Sequence, residues 1–462
     1  MKLYGRTEEL GLLSEAMQRK PNLVLVRGRR RVGKTTLITH AMPPGGVYLY
    51  VDQKKTEAGL LEEFETVLRR ELGLPDYVRI QDWGQLYDLM FSHDRTFAID
   101  EFQRLRAVSQ SAIMQLQNKW DTKGQGSKTC LVLSGSNVGM MKKIFIEAGA
   151  PLFRRARHDL ALKPLSFGEC RRMMADLGVS DVTEQARLYA IFGGIPFYYA
   201  LLEGARIGTW KDALKEAVLN PLSPLKNEVR DTMVESFGKD HPSYYAIISA
   251  IALGKTTKKE IADFSGIKES SLSPYLYDLE NLVDVISYEV PVTEPKKWRT
   301  RRGRFVLKDN FFRFWFRYIF RNMSYFEEEE YGYLQDAVSE DMNSFMGPAF
   351  EAISREFLLV MDKQKKLPFK ISEIGRWWSR KGDEVDWVIK CQSTDTIALV
   401  ECKWSEKADS EKILGELMAR EKLVEHKRKK VVYVIIARGF KSKTDGALCF
   451  DMEDISKSLG GL

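Results

Sequence analysis

The chain has 462 residues, of which 44% are hydrophobic and 29% charged, with a formal net charge of +7. This composition excludes a disordered chain, and the length suits about three domains. The five cysteines are scattered without C-x-x-C spacing, so neither a zinc site nor a disulfide framework is expected, as in a reducing interior.

Met1-Lys2-Leu3-Tyr4-Gly5-Arg6 lacks the apolar core of a signal peptide, and no apolar run approaches the ~18 residues of a membrane span. A cytoplasmic protein with no membrane segment is expected. Tyr4-Gly5-Arg6 is a short polar turn, and Leu10, Leu13 and Met17 then recur at helical spacing. The turn suits either an adenine cover or an ordinary helix start.

Leu23-Val24-Leu25-Val26 is a buried strand. It runs into Gly28-Arg29-Arg30-Arg31-Val32-Gly33-Lys34-Thr35-Thr36, and a helix follows. Strand, G-x-x-x-x-G-K-T and helix together form a phosphate-binding P-loop. Gly28 and Gly33 allow the tight turn that points backbone amides at phosphate oxygens. Lys34 reaches the β- and γ-phosphates, the Thr35 hydroxyl ligates Mg²⁺, and the positive helix end adds to the same anion site. ATP with Mg²⁺ is the expected cofactor.

Residues 46–52 read as a second strand and 56–72 as an amphipathic helix. Phe97-Ala98-Ile99-Asp100-Glu101-Phe102 is a strand ending in two acids, and the carboxyl ends of parallel strands are where ligands bind. Asp100 is expected to hold Mg²⁺ through water, and Glu101 to polarise the attacking water. Cys130 to Asn137 is the next strand. Ser136 and Asn137 at its end either sense the γ-phosphate or simply form a turn. Arg154 and Arg155 offer either an arginine finger or a solvated basic turn.

Several spaced motifs here resemble the archaeal-type ATPase family, in the STAND branch of AAA+-like P-loop NTPases. They are Tyr4-Gly5-Arg6, the P-loop with its three arginines, Ile99-Asp100-Glu101-Phe102-Gln103, Leu133-Ser134-Gly135-Ser136, Lys163-Pro164-Leu165-Ser166-Phe167 with Glu169, and Gly193-Gly194-Ile195-Pro196-Phe197. The resemblance covers roughly residues 1–310. It implies that Tyr4, Gly5 and Arg6 lie beside the base, that Asp100 and Glu101 are the acidic pair, and that Pro196 in a helical lid reports nucleotide state. Read from the residues alone, Gly193-Gly194-Ile195-Pro196 equally ends one helix and starts another.

Residues 244–252, 256–262 and 270–282 read as three helices, followed by strands near 283–290 and 305–307. This is a winged helix. Lys268, Ser271, Ser273 and Tyr277 are candidate contacts of its reading helix. Its hairpin tip carries Lys296, Lys297, Arg299, Arg301, Arg302 and Arg304, six cations in nine positions, arranged as a DNA phosphate clamp or a solvated basic loop. The aromatic run 310–325 reads as a buried helix or, less simply, a base-stacking platform.

The last stretch has a helix starting near Phe345 and strands at 384–389, 396–404 and 431–436. Glu401 and Lys403, two apart on a strand, share a face that Asp386 on the adjacent strand can reach. Asp386 and Glu401 offer hard oxygen ligands for Mg²⁺ or Mn²⁺, Lys403 would position water or offset charge, and Glu351 would ligate the metal or orient that water. Glu351, Asp386, then 14 residues, then Glu401-Cys402-Lys403 resembles the PD-(D/E)XK nuclease superfamily. Arg376-Trp377-Trp378 also resembles the C-terminal domain that the ATPase family often carries.

The expected architecture is an α/β P-loop core at 1–165, a helical lid at 166–235, a winged helix at 236–310, a helical linker at 311–344 and an α/β restriction-endonuclease-like domain at 345–462. The expected function is an ATP-hydrolysing switch that binds DNA and cleaves phosphodiesters. The alternative is a nucleotide-gated DNA- or protein-binding regulator, or an oligomerising scaffold, whose nuclease-like domain is silent.

Overall fold

The computed structural model describes residues 2–294, 302–391, 395–424 and 430–460. The chain divides into two compact units. The first comprises residues 1–164 with 195–197 and 281–284, and the second the remainder.

In the first unit, β1 (Asn22–Gly28), β2 (Val47–Tyr50), β3 (Thr96–Asp100), β4 (Cys130–Gly135) and β5 (His158–Leu162) form a parallel sheet in the order β2-β3-β4-β1-β5. Strands buried on both faces read as continuous apolar runs, as β1, β3 and β4 do. Helices Glu57–Leu72, Trp83–Phe91 and Gln110–Thr122 contribute Phe64, Trp83, Tyr87 and Trp120 to a core with Leu25, Phe97, Ile99 and Leu133. Each large apolar side chain buried there contributes about 1.5–3 kcal/mol. Because every strand runs the same way, Gly28, Asp100 and Gly135 all emerge at one edge of the sheet.

Gly28 is fixed by that sheet. A Cβ there would stand 2.5 Å from the Leu162 carbonyl oxygen on the neighbouring β5. Gly33 has φ +97°, which only glycine adopts freely, and it opens helix Lys34–Ala41.

In the second unit, helices Phe167–Asp176 and Val182–Phe192 come first, the former closed by a Ser166/Glu169 capping box. Helices His241–Ala252, Lys258–Ser265 and Leu272–Asn281 lead to an antiparallel hairpin of β6 (Ile286–Glu289) and β7 (Arg304–Leu307). The aromatic run follows as helix Asn310–Phe314 and a wide π-helical turn, Trp315–Ile319. Phe311, Phe312, Phe314, Trp315 and Phe316 are buried there, which leaves no exposed stacking platform at those rings.

One helix then spans Tyr331–Lys363, so the segment expected to start near Phe345 begins about four turns earlier. Pro348 lies inside it and forfeits one helical hydrogen bond. The buried neighbours Phe345, Met346, Ala349 and Phe350 hold the helix through that point.

The C-terminal strands are β8 (Glu373–Trp378), β9 (Glu384–Lys390), β10 (Thr396–Lys403), β11 (Ala408–Asp409), β12 (Lys430–Ala437), β13 (Phe440–Ser442) and β14 (Leu448–Phe450). Five of them form a mixed sheet, β14-β12-β10-β9-β8, and β11 pairs with β13. β10, β12 and β14 are parallel, while β8 and β9 are antiparallel additions. Helices Ser410–Glu421 and Met452–Leu459 complete this part.

Candidate functional site

Within the first unit, the P-loop brings its chemistry to the carboxyl edge of the sheet. Lys34 is 5% exposed, and its Nζ donates to the carbonyls of Gly28 (3.0 Å) and Arg29 (2.9 Å). Burial pushes its pKa down, opposed by the Glu101 and Asp100 carboxylates.

The Thr35 hydroxyl donates to Asp100 Oδ2 at 2.6 Å, Tyr48 donates to the same oxygen at 2.7 Å, and the Glu101 amide donates to Oδ1 at 2.9 Å. Burial would raise the Asp100 pKa, but these hydrogen bonds outweigh it and hold the carboxyl below its usual range. Asp100 and Thr35 therefore form one oxygen-rich pair, whose hard donors suit Mg²⁺ beside a nucleotide.

Glu101 has φ +55°, a left-handed conformation unusual for a non-glycine residue. Its Oε2 accepts from Gln103 Nε2 and from Ser136 Oγ, both at 2.6 Å, and Arg104 Nε lies 3.5 Å away. Arg104 also donates to the Tyr50 hydroxyl at 2.6 Å. Ser136 thus acts on Glu101. Asn137 instead caps helix Val138–Phe145 by accepting from the Met140 amide.

These groups adjoin a cavity of about 180 Å³ lined by Tyr4, Arg6, Arg30, Arg31, Val32, Gly33, Lys34, Thr35, Thr36, Glu101, Pro196 and Phe197. Arg6 is 5% exposed and donates to the Lys163 carbonyl at 2.5 Å, tying the N-terminal turn beside the loop. Gly5, with φ +58°, supplies the bend before it. Arg31, itself at φ +66°, lies 4.1 Å over the Phe197 ring. Arg155 is held by Asp121 at 2.6 and 2.8 Å, and Arg154 rests over Phe153.

Sequence reasoning missed Tyr48, Gln103, Arg104 and Phe197. Gln103 and Phe197 sat inside motifs already singled out. The reach of Tyr48 needed the β2–β3 register, which pairs Tyr48 with Ala98.

The second unit holds the other constellation. Lys403 Nζ contacts Glu401 Oε1 at 2.7 Å, and Arg420 contacts Oε2 at 2.8 Å. Asp386 Oδ2 accepts from the Cys402 amide at 2.7 Å. Burial, then the Glu351 and Glu401 carboxylates, push the Asp386 carboxyl far above its usual range. Glu351 is paired with Arg376, which also lies 3.3 Å from Glu289 on β6.

Glu351, Asp386, Glu401 and Lys403 are thus neighbours, as the strand alternation requires. Both Glu401 oxygens are nonetheless held by Lys403 and Arg420, Glu351 contacts Arg376, and Asp386 Oδ2 is held by an amide. Among the described residues no three acidic, histidine or cysteine side chains are arranged to hold a metal ion. The donors have the right chemistry for Mg²⁺ or Mn²⁺, but in this arrangement they do not form its ligand set.

Of the six hairpin cations, Lys296, Lys297, Arg299 and Arg301 lie outside the described residues. Arg302 donates to the Trp378 carbonyl at 2.8 Å and contacts Glu294 at 3.2 Å, while Trp378 Nε1 donates back to the Arg302 carbonyl at 2.9 Å. Arg304 stacks 4.7 Å over the Trp378 ring and pairs with Glu384. These two arginines are engaged by β8 and β9. On the three-helix segment, Ser273 accepts from Lys258 at 2.9 Å, and Tyr277 is exposed. No helix among the described residues is long and apolar enough to cross a membrane.

A family profile described as an AAA domain matches residues 20–171, and one described as archaea bacterial proteins of unknown function matches 315–413. The curated "Uncharacterized protein MJECL04" of Methanocaldococcus jannaschii is 32% identical over 457 residues, covering 98% of this chain and 99% of that protein. Among solved structures, the Walker-type ATPase paby2304 of Pyrococcus abyssi aligns with a TM-score of 0.50 at 20% identity, over 68% of this chain and 96% of that one. The ORC2 protein of Aeropyrum pernix aligns with a TM-score of 0.35 at 15% identity, over 66% and 90%.

Proposed function

This chain belongs to the same family as the Methanocaldococcus jannaschii protein that it matches end to end, and from its AAA-type P-loop ATPase domain we propose an ATP-hydrolysing switch. The observation that carries this reading is the Thr35–Asp100 pair at 2.6 Å, beside a buried Lys34 and a cavity that Glu101 lines. Thr35 and Asp100 would hold Mg²⁺, which when bound neutralises phosphate charge. Lys34 and the loop amides offset the remaining phosphate charge. Glu101, oriented by Ser136 and Gln103, polarises the attacking water. Tyr4, Gly5, Arg6 and Pro196 are assigned to the nucleotide's far end and to reporting its state, as in STAND-type switches.

The finer part of the proposal concerns the second unit. The helices from His241 to Asn281 with the β6–β7 hairpin act as a winged helix that holds DNA by its basic tip. Glu351, Asp386, Glu401 and Lys403 would be the residues of a phosphodiester-cleaving site, with Lys403 positioning water or offsetting developing charge. Support comes from the residue set and its neighbourhood on β9, β10 and the long helix.

Fluorescent ATP binding tests the first part. Lys34→Ala abolishes binding if the P-loop is the site, and undiminished binding refutes it. Incubating plasmid with the protein, ATP and Mg²⁺ or Mn²⁺ tests the second. Cleavage lost in Asp386→Ala and Lys403→Ala supports it, and cleavage unaffected by both, or absent in every metal, refutes it.

A further inference from the structure

Arg104 stands beside both groups that the nucleotide reading sets around the γ-phosphate, Glu101 and Lys34. The left-handed Glu101 is followed by the tight turn Phe102–Arg104, in which the Arg104 amide donates to the Glu101 carbonyl at 2.9 Å. Phe102 is fully buried and packs on Phe145 with ring centroids 5.9 Å apart, which pins the turn to the core. The chain therefore doubles back at the carboxyl edge of β3, and Arg104 Nε returns to 3.5 Å from Glu101 Oε2. From another side its Nη1 donates at 2.6 Å to the hydroxyl of Tyr50, the last residue of β2. Its charge also reaches Lys34, whose pKa it lowers after burial and against Glu101 and Asp100.

Lys34 and Arg104 are like charges that repel, and an anion between them relieves the repulsion. Hydrolysis spreads charge over the γ-phosphoryl oxygens, which a forked guanidinium meets with charge-assisted hydrogen bonds. Of the two arginines expected to offer this charge, Arg155 is held by Asp121 and Arg154 lies over Phe153. We propose that Arg104 is a catalytic residue that contacts the γ-phosphate from within the same chain, and that Tyr50 is the positioning residue that aims it. The inference rests on the reading of the P-loop as a nucleotide site. It adds a second cation to Lys34 and a preference for ATP over ADP, because ADP lacks the phosphate that Arg104 meets.

The test is isothermal titration calorimetry of the full chain with ADP and with the non-hydrolysable β,γ-imido analogue of ATP. Wild type is expected to bind the triphosphate more tightly. Arg104→Ala and Arg104→Gln should each lose about tenfold of that preference, the size of one charge-assisted hydrogen bond, with ADP affinity nearly unchanged. Tyr50→Phe should lose less, in the same direction. Arg106→Gln removes an exposed cation two residues on and should change neither affinity.

A preference for the triphosphate that survives in both Arg104 variants overturns the contact, even where turnover falls, because that pattern belongs to a residue acting only through Glu101. Equal weakening of both nucleotides overturns it too, and so does a wild type without any preference. Undiminished binding of both nucleotides by Lys34→Ala refutes the P-loop reading itself. Binding lost in Lys34→Ala, with the preference kept in the Arg104 variants, refutes only the role of Arg104. Circular dichroism establishes that each variant folds, and Arg104→Gln carries the test if Arg104→Ala does not.

Discussion

Glu101 shows how one side chain is prepared for work. Its backbone is held left-handed at φ +55°, and its Oε2 takes hydrogen bonds from Ser136 and Gln103. Both donors hold the carboxylate in one orientation, so each acts through Glu101. Ser136→Ala and Gln103→Ala are each expected to lower ATP turnover by roughly tenfold while leaving ATP affinity nearly unchanged, smaller than the 10²–10⁴-fold typical of losing a general base. Steady-state kinetics with a KM-against-kcat split checks this, and a loss confined to KM contradicts it. A second residue, Asp451, caps helix Met452–Leu459 and pairs with Lys443 at 2.9 Å. Burial opposes ionisation there, but the Lys443 pair and the helix amides win, and its pKa is lowered. A carboxyl with a depressed folded pKa adds stability above its unfolded value, and that stability fades as pH falls through the folded one. Asp451→Asn should therefore cost about 0.5–1 kcal/mol near pH 7, discounted for the half-exposed lysine, and the difference should shrink as pH falls below the ordinary aspartate value of about 3.9. Urea melts across that range measure it, and a constant difference would contradict the assignment.

At the scale of elements, the first unit was largely legible because each signal was local. A buried strand, two glycines and Lys34-Thr35 specify a loop, and three apolar residues before Asp100-Glu101 specify a strand end. The contacts between strands were not legible, since Tyr48 meets Asp100 only through sheet order. The long helix Tyr331–Lys363 was hidden by Gly347-Pro348, which read as a start when judged locally. Burial of its neighbours overrides that preference. The hairpin shows the same limit. Charge spacing suggested free cations, whereas Arg302 and Arg304 close on Trp378, Glu294 and Glu384. Trp378→Ala should loosen β7 from β8 and cost about 3 kcal/mol. Faster hydrogen exchange at residues 304–307 would register it, and unchanged exchange would contradict the staple. Gly194 makes a sharper case, because a Cβ there would stand 1.8 Å from the Leu165 carbonyl oxygen. Gly194→Ala is expected to destabilise by about 3 kcal/mol or more, visible as a lowered melting temperature, with an unshifted one contradicting the close approach.

At the scale of the whole molecule, the chain carries two separate chemical constellations, one in each compact unit. The P-loop constellation has a cavity, a hydroxyl–carboxylate pair and an oriented glutamate, all drawn from the first unit. The C-terminal constellation has Glu401 paired with Lys403 and Arg420, and Glu351 paired with Arg376. Nucleotide chemistry is thus the activity the structure supports most directly. The decisive measurement is ATP turnover with Mg²⁺ by wild type beside Glu101→Gln, with ATP affinity measured in both. The account predicts that wild type releases phosphate, and that Glu101→Gln binds ATP with similar affinity but loses about 10²–10⁴-fold in turnover. Turnover that survives in Glu101→Gln within a few-fold of wild type would contradict it.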